Sequence, residues 1–322
     1  MKALVVQTAF LGDVVFTSAL VGSLAARYPQ AELELCVAPR GRDVALAIPG
    51  VARVHVFDKR GADRGARGLL RVARALRERR FDLAVVPHQS PRSALVAWLA
   101  GIPERVGFGS LLFTRRVPRP RAAAGFLESE AALGRALGAE PAPMRLVATP
   151  GSVAAARALL GEARVAAFCV GSEWATKIWP AERFAALADL LAARGFLPVL
   201  LGGPRERELG RAVRAAMRAT ALDTVGNSVA EALGILSLAS ICIGGDMGLM
   251  HAARALGTPT VALFGPTPSG VHSFGPRQQL VTLGLECSPC SVHGTRACPL
   301  GHHRCLRDLD EDRVLRACEA VL

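Results

Sequence analysis

The chain has 322 residues, ample for two domains of ordinary size, and carries a formal net charge of +12. The excess is uneven: residues 1–150 hold 22 Lys/Arg against 12 Asp/Glu, while residues 151–322 hold 17 against 15. No apolar run reaches the roughly 18 residues of a transmembrane helix, and MKALVVQTAF lacks a signal-peptide pattern, so a cytoplasmic chain is expected. The arginine-weighted first half suggests an anionic partner: phosphorylated lipid, a membrane surface or nucleic acid. A GC-rich genome would give the same arginine bias without any functional demand.

Residues 3–8, ALVVQT, read as a buried apolar strand, followed by a loop to Asp13 and a helix from about Val14 to Tyr28. Neither GxGxxG nor GxxxxGK[ST] is present, so no dinucleotide or P-loop phosphate site is indicated there. Asp13 is either an ordinary helix cap or a general base aimed from the carboxyl end of the first strand. Strands follow at 32–37 and 53–57, with a helix after Gly41 between them. The helix GLLRVARALRERRF is apolar on Leu69, Leu70, Val72, Ala73 and Leu76, and its arginines read as a solvated face. A strand at 82–87 and a helix at about 92–100 come next. The Arg-, Gly- and Pro-rich segment 105–121 reads as an anion-facing loop, poor material for a core. A helix near 126–138 leads to AEPAPMRLVATP, a semi-stiff linker that places the domain boundary between Gly138 and Gly151.

The second half repeats the alternation. A helix at 152–160 precedes the strand RVAAFCV (164–170), the loop GSEWATKIWP and a helix starting at Pro180. A strand at 197–201, the turn GGPRE, a helix at 205–219, a strand near 223–225 and a helix at 229–238 follow. Then comes ICIGGDMGLMHAARALGTPTVALFGPTPSGVHSF (241–274), the stretch around which the rest is organised. It reads as strand, glycine turn, helix, second strand and a Gly-Pro loop. Asp246 lies at the helix entrance with His251 about a turn further in, and Thr267 and Ser269 lie in the second turn. In doubly wound folds ligands bind outside the carboxyl ends of strands, where helix N-termini suit phosphates. The alternative is that Asp246 merely caps the helix. Strand–helix alternation on both sides of the linker gives an α/β fold: two Rossmann-like doubly wound domains, 1–150 and 151–322, facing a central cleft.

Five segments, in order and nearly end to end, resemble glycosyltransferase family 9, the bacterial heptosyltransferases, and among them the heptosyltransferase II group. They are ALVVQTAFLGDVVFTSAL, VGSEWATKIWPAERFAAL, LLGGPRE, GDMGLMHAARALGTPTVALFGPT and CSPCSVHGTRACPLGHHRCL. The resemblance implies a GT-B fold with an N-terminal acceptor domain and a C-terminal nucleotide-sugar domain. It implies metal-independent, inverting transfer of L-glycero-D-manno-heptose from ADP-heptose to the lipopolysaccharide inner core, with no cofactor. The acceptor would be phosphorylated Kdo-lipid A or a heptosylated core, met at the cytoplasmic face of the inner membrane by peripheral contact, with no nucleic acid partner. On the motif positions, Asp13 matches the base and Lys177 the phosphate-binding lysine, with Ser172 sharing the diphosphate. Asp246 matches the carboxylate that holds the donor sugar, Gly248 and His251 the rest of that loop. Thr267 is placed near the diphosphate and Glu231 on the ribose by analogy of their loops.

Three departures stand out. Met247 follows the donor aspartate where the family often has Ser or Thr, Gln7 stands where arginine is common, and Thr17 or Ser18 where proline is common. Rival readings are a family member with another nucleotide-sugar donor, or a non-catalytic basic module for anionic lipid or nucleic acid. The tail Cys287-x2-Cys290-x7-Cys298-x6-Cys305, with His293, His302 and His303 interleaved, has the look of a structural zinc site. Reduced thiols or a redox-labile pair are the other reading, and no metal is expected in the chemistry. Cys36, Cys169, Cys242 and Cys318 read as small buried residues.

Overall fold

The computed structural model of the chain describes residues 1–121, 125–270, 272 and 275–322. Val271, Ser273 and Phe274, the end of the organising stretch, lie outside the described residues. The chain divides into two compact units, Met1–Val147 and Ala148–Leu322.

The first unit is built from β1 (Lys2–Gln7), α1 (Leu11–Arg27), β2 (Glu32–Val37), α2 (Arg42–Leu46), β3 (Val51–Val56), α3 (Gly65–Glu78), β4 (Leu83–Val86), α4 (Pro91–Leu99), β5 (Glu104–Phe108), β6 (Arg115–Val117) and α5 (Phe126–Ala136). Its strands are parallel and ordered β3-β2-β1-β4-β5-β6. β1 and β4 are apolar almost throughout because helices cover both faces of a parallel sheet. α3 shows the opposite logic, burying Leu69, Val72, Ala73 and Leu76 while its arginines face outward.

The segment 105–121 is not a loop throughout, which corrects the reading of the sequence. Val106 and Phe108 alternate with Arg105 and Gly107 and are buried, so β5 joins the sheet and β6 follows on its edge. The arginines and prolines of the edge mask that period-two pattern. Gly107 is required there, since a Cβ on it would lie 2.5 Å from the Phe113 ring.

The second unit comprises α6 (Pro150–Leu160), β7 (Arg164–Cys169), α7 (Ala181–Ala192), β8 (Phe196–Leu201), α8 (Arg207–Ala216), β9 (Leu222–Asp223), α9 (Val229–Leu238), β10 (Ile241–Gly245), α10 (Gly248–Leu256), β11 (Thr260–Leu263), β12 (Gln278–Val281), α11 (Arg304–Arg307) and α12 (Glu311–Glu319). Its parallel sheet runs β12-β11-β10-β7-β8-β9. Both sheets are therefore doubly wound. The strand order reverses between β1 and β4 in one unit and between β7 and β10 in the other. Those reversals are where an open parallel sheet leaves room for ligands at its carboxyl edge.

Element boundaries differ from the sequence reading by a residue or two at most ends. Gly244 and Gly245 belong to β10 rather than to a turn, and α7 begins at Ala181 with Pro180 as its cap. β12, α11 and α12 add to the elements expected from the sequence. Among the described residues no helix is long and apolar enough to cross a membrane.

Candidate functional site

The loops after β7 and β10 meet at the reversal of the second sheet. The β7 loop is anchored by Trp179, fully buried, edge-on to Phe184 at 5.0 Å and donating its Nε1–H to the Leu309 carbonyl at 3.0 Å. Burying an indole this completely removes about 200 Å² from water, worth about 5 kcal/mol at ~25 cal/mol/Å². Two residues before this anchor, Lys177 is pinned against the end of β10. A Cβ on Gly245 would lie 2.6 Å from the Lys177 carbonyl oxygen, so only glycine permits the approach.

Asp246 is the hub. Its Oδ2 lies 2.6 Å from Lys177 Nζ and accepts from Thr267 Oγ1 at 2.9 Å. Its Oδ1 lies 3.1 Å from His251 Nε2. His251 Nδ1 faces Arg254 Nη1 at 3.3 Å, and a guanidinium can only donate. Nδ1 must therefore accept, which leaves the imidazole proton on Nε2, pointed at Asp246. Burial pushes the His251 imidazolium down despite the carboxylate, consistent with a neutral ring in that tautomer. Burial also opposes the charge on Asp246, but the His251 N–H and the Lys177 ammonium outweigh it and hold the carboxyl well below the usual carboxylate range. Arg254 Nε is tied to Gln278 Oε1 at 3.0 Å on β12. His272 stacks on His251 with ring centroids 4.9 Å apart, and burial above all pushes its pKa down to about 3.

Asp246 is not the helix cap. Met247 holds that position, with no side-chain hydrogen bond to the helix, and Gly248 is the first residue of α10. The carboxylate is thus left to Lys177, Thr267 and His251. Ser172 accepts from the Trp174 N–H at 3.3 Å within its own turn. Glu231 closes a capping box on α9, accepting from the Ser228 N–H at 2.8 Å and receiving the Ser228 hydroxyl at 2.7 Å. Neither shares a hydrogen bond with the Asp246 group among the described residues. Arg254 and His272 were missed from the sequence. The signal for Arg254 was its i+3 spacing from His251 on an otherwise apolar helix face.

Among the described residues, the one group of His, Cys, Asp and Glu side chains close enough to share an ion is Asp246, His251 and His272. It already faces the Lys177 ammonium and the Arg254 guanidinium, two cations for one carboxylate, so a further cation would be repelled. Cys287, Cys290, Cys298 and Cys305 carry free thiols and do not form such a group. The tail straps the loops after β7 and β11 through its backbone. Thr176 and Thr295 exchange hydrogen bonds, with Thr176 Oγ1 donating to the Thr295 carbonyl and accepting from its N–H, both at 2.8 Å. The N–H groups of Cys290 and Ser291 both reach the Pro266 carbonyl at 3.0 Å, and Ser288 Oγ donates to Gly265. A Cβ on Gly294 would strike Lys177 and Trp174, so this strap lies directly on the lysine loop.

In the first unit, Asp13 is the third residue of α1, and its Oδ2 accepts from the Phe10 N–H at 2.9 Å. It is half-buried at the carboxyl end of β1, beside the reversal. Across the reversal, Thr8 Oγ1 reaches Ser93 Oγ at 2.9 Å and His88 Nε2 at 3.1 Å. Lys59 lies near Ser90 and Arg92, and burial followed by the Arg92 charge lowers its pKa.

The family model described as glycosyltransferase family 9 (heptosyltransferase) matches residues 69–300. The chain is 29% identical to lipopolysaccharide heptosyltransferase 2 of Escherichia coli K12 over 359 aligned positions, covering all of this chain and 99% of that one. In three dimensions it superposes on E. coli ADP-heptose LPS heptosyltransferase II with a TM-score of 0.81 at 25% identity, covering 100% of this chain and 98% of the other. A family 9 glycosyltransferase from Veillonella parvula gives a TM-score of 0.89 at 22% identity, covering 99% and 96%, a likeness of fold.

Proposed function

The chain belongs to glycosyltransferase family 9, and from that premise we propose that it transfers L-glycero-D-manno-heptose from ADP-heptose to the lipopolysaccharide inner core by a single inverting displacement. The observation that carries the donor half is the Asp246 group at the reversal of the second sheet, with Lys177 Nζ 2.6 Å from the carboxylate. A nucleotide sugar offers both residues their natural partners. Asp246, held ionised, accepts hydrogen bonds from sugar hydroxyls, and Lys177 faces the diphosphate. Breaking the bond from the anomeric carbon to the diphosphate oxygen leaves ADP with an added negative charge, which a positioned ammonium stabilises. Thr267 and the turn containing Ser172 extend the diphosphate cradle, His251 orients Asp246 from behind, and Gly248 opens the helix N-terminus. Glu231 is the ribose contact, with its carboxylate oriented by Ser228.

The first unit takes the acceptor. Asp13 accepts the proton of the acceptor hydroxyl as its oxygen attacks the anomeric carbon from the face opposite the leaving group. The arginine excess of residues 1–150 suits a phosphorylated Kdo-lipid A or heptosylated core presented at the cytoplasmic leaflet, where a basic residue near the surface contributes about 1 kcal/mol. The test is ADP release from ADP-heptose with a Kdo-containing lipid acceptor. Acceptor-dependent release should fall by about 10²–10⁴-fold in Asp13→Ala while donor binding persists. Tight binding of a different nucleotide sugar, with no turnover of ADP-heptose, would overturn the donor and leave the fold.

A further inference from the structure

A second carboxyl group stands behind Asp13. Glu130 on α5 is buried at 5% exposure, and its register is fixed by Phe126, whose ring stacks on Phe16 of α1 at 5.1 Å. Its Oε1 lies 3.1 Å from Thr17 Oγ1, while its Oε2 is buried with no hydrogen-bond partner among the described residues. The Thr17 hydroxyl is fully enclosed and meets three neighbours: Gln7 Nε2 at 3.2 Å, the Asp13 carbonyl oxygen at 2.9 Å and Glu130 Oε1.

Counting protons assigns every partner. Gln7 Oε1 accepts from the Ala9 N–H at 3.3 Å, which turns the amide so that its NH₂ donates to Thr17. Thr17 has a single hydroxyl hydrogen, and the Asp13 carbonyl and an ionised Glu130 would compete for it. With Glu130 protonated both contacts are hydrogen bonds: the hydroxyl donates to the Asp13 carbonyl and accepts from Glu130. An ionised Glu130 would draw that hydrogen away from the Asp13 carbonyl and leave a charge with no cation beside it in a site that burial makes costly.

We propose that Glu130 is a positioning residue for transfer: it remains a neutral carboxylic acid and, through Thr17, fastens the first turn of α1 that presents Asp13. The proposal rests on reading Asp13 as the base. It also gives a physical role to two departures from the family pattern. Gln7 stands where an arginine would supply a cation, and Thr17 is, with Ser18, one of the two positions where proline is common in the family. Charged groups on the elements packed against Glu130 are Asp13 and Arg27 on α1, Arg115 and Arg116 on β6, and Glu128 and Arg135 on α5 itself. Among these, Asp13 is the one whose charge acts on Glu130. Burial first, with the Asp13 charge, pushes its pKa up to about 8.

Above that pH the carboxylate can no longer donate. Thr17 then turns its hydrogen towards Glu130 and releases the Asp13 carbonyl. The test compares transfer rates from pH 6.5 to 9.5 for the wild type, Glu130→Gln, Glu130→Ala and Thr17→Val. Gln keeps a neutral donor at the same place, so it should recover most of the roughly tenfold kcat loss expected of Ala and Val, with donor KM unmoved. It should also lack the wild type's decline above pH 8. In parallel, infrared spectra of the folded wild type at pH 7 should show a protonated-carboxyl band that is missing in Glu130→Gln. Absence of that band, a Gln variant as slow as Ala, or superimposable alkaline limbs would each overturn the proposal. Activity retained in Asp13→Ala would instead strike the reading of the base, while the infrared band still reports on Glu130.

Discussion

Asp246 and Glu130 are carboxyl groups largely withdrawn from solvent, Glu130 the more deeply, each hydrogen-bonded to a threonine, and they are held in opposite protonation states. Asp246 has an ammonium at 2.6 Å and an imidazole N–H at 3.1 Å. Glu130 has one hydroxyl and a bare oxygen. Burial disfavours charge in both places, so the presence of a cation decides the outcome. One carboxyl then serves as a fixed charge for a polar ligand, the other as a neutral donor in a structural chain. Burial alone would have suggested the same behaviour for both.

The largest effect should come from removing the cation that makes them differ. Lys177→Met leaves Asp246 buried with only Thr267 and the neutral His251, and breaking one partner of a buried pair costs about 3–5 kcal/mol. kcat/KM should fall by about 10²–10³-fold as leaving-group stabilisation is lost. Urea melts of Lys177→Met, Asp246→Asn and the double variant check the pairing. The double variant should be less destabilised than the sum of the singles by about 1–3 kcal/mol. Simple additivity would mean that the 2.6 Å contact is not an interacting pair.

The next effect is in pH and has opposite signs in the two units. Glu130 ionises at about 8 in the folded chain against an ordinary value of 4.5. Between those limits the folded state holds a proton that the unfolded state has released. Its contribution to stability is therefore greatest in acid and declines as pH rises from about 4.5 to 8, by about 1.4 kcal/mol per pH unit. Glu130→Gln removes that slope, so the stability difference between variant and wild type should grow in the variant's favour across the same window. Asp246 works the other way: its folded pKa is depressed, so its contribution is present above about pH 4 and lost as pH falls below it. Asp246→Asn should therefore flatten the acid side alone. Calorimetry of both variants against pH reads the two windows separately.

How much of this was legible in the sequence depends on distance along the chain. The alternation of apolar strands and amphipathic helices is local, and both doubly wound sheets could be read from it. Lys177, Asp246 and Thr267 lie in glycine- or proline-bearing loops after strands, with His251 on the helix that follows Asp246, so a parallel sheet brings them together once the strand order reverses between β7 and β10. Glu130 could not be read. In FLESEAALGRA it is one of two glutamates, and only its meeting with Thr17, 113 residues earlier, makes it the buried one. Arg254 was missed for the same reason, since its partner Gln278 lies on β12, far along the chain. The tail's backbone bonds to Thr176 and Pro266 were equally invisible, since they join residues far apart in the chain.

The smallest effect, and the one that most sharpens the contrast between the units, belongs to Met247. It caps α10 without a side-chain hydrogen bond and packs half-buried against the core under β7 and β10. Met247→Ser would add a capping hydroxyl worth about 1 kcal/mol, and would lose apolar contact of about the same size. Stability should then move by less than about 1 kcal/mol. The hydroxyl would stand one residue after Asp246, where the family pattern often has one, so it adds a neutral hydrogen-bond partner beside a carboxylate that is already charged. Donor KM should fall by about threefold, at the low end of a net hydrogen bond, with kcat unchanged. Isothermal titration with ADP separates the two sources of that gain. A tighter fit to ADP alone means that the hydroxyl reaches the nucleotide, whereas an effect confined to the intact nucleotide sugar places it on the heptose that Asp246 holds. No change in either would mean that the capped helix keeps the hydroxyl for itself, and that the donor site is set by Lys177, Asp246 and Thr267 without help from the helix cap.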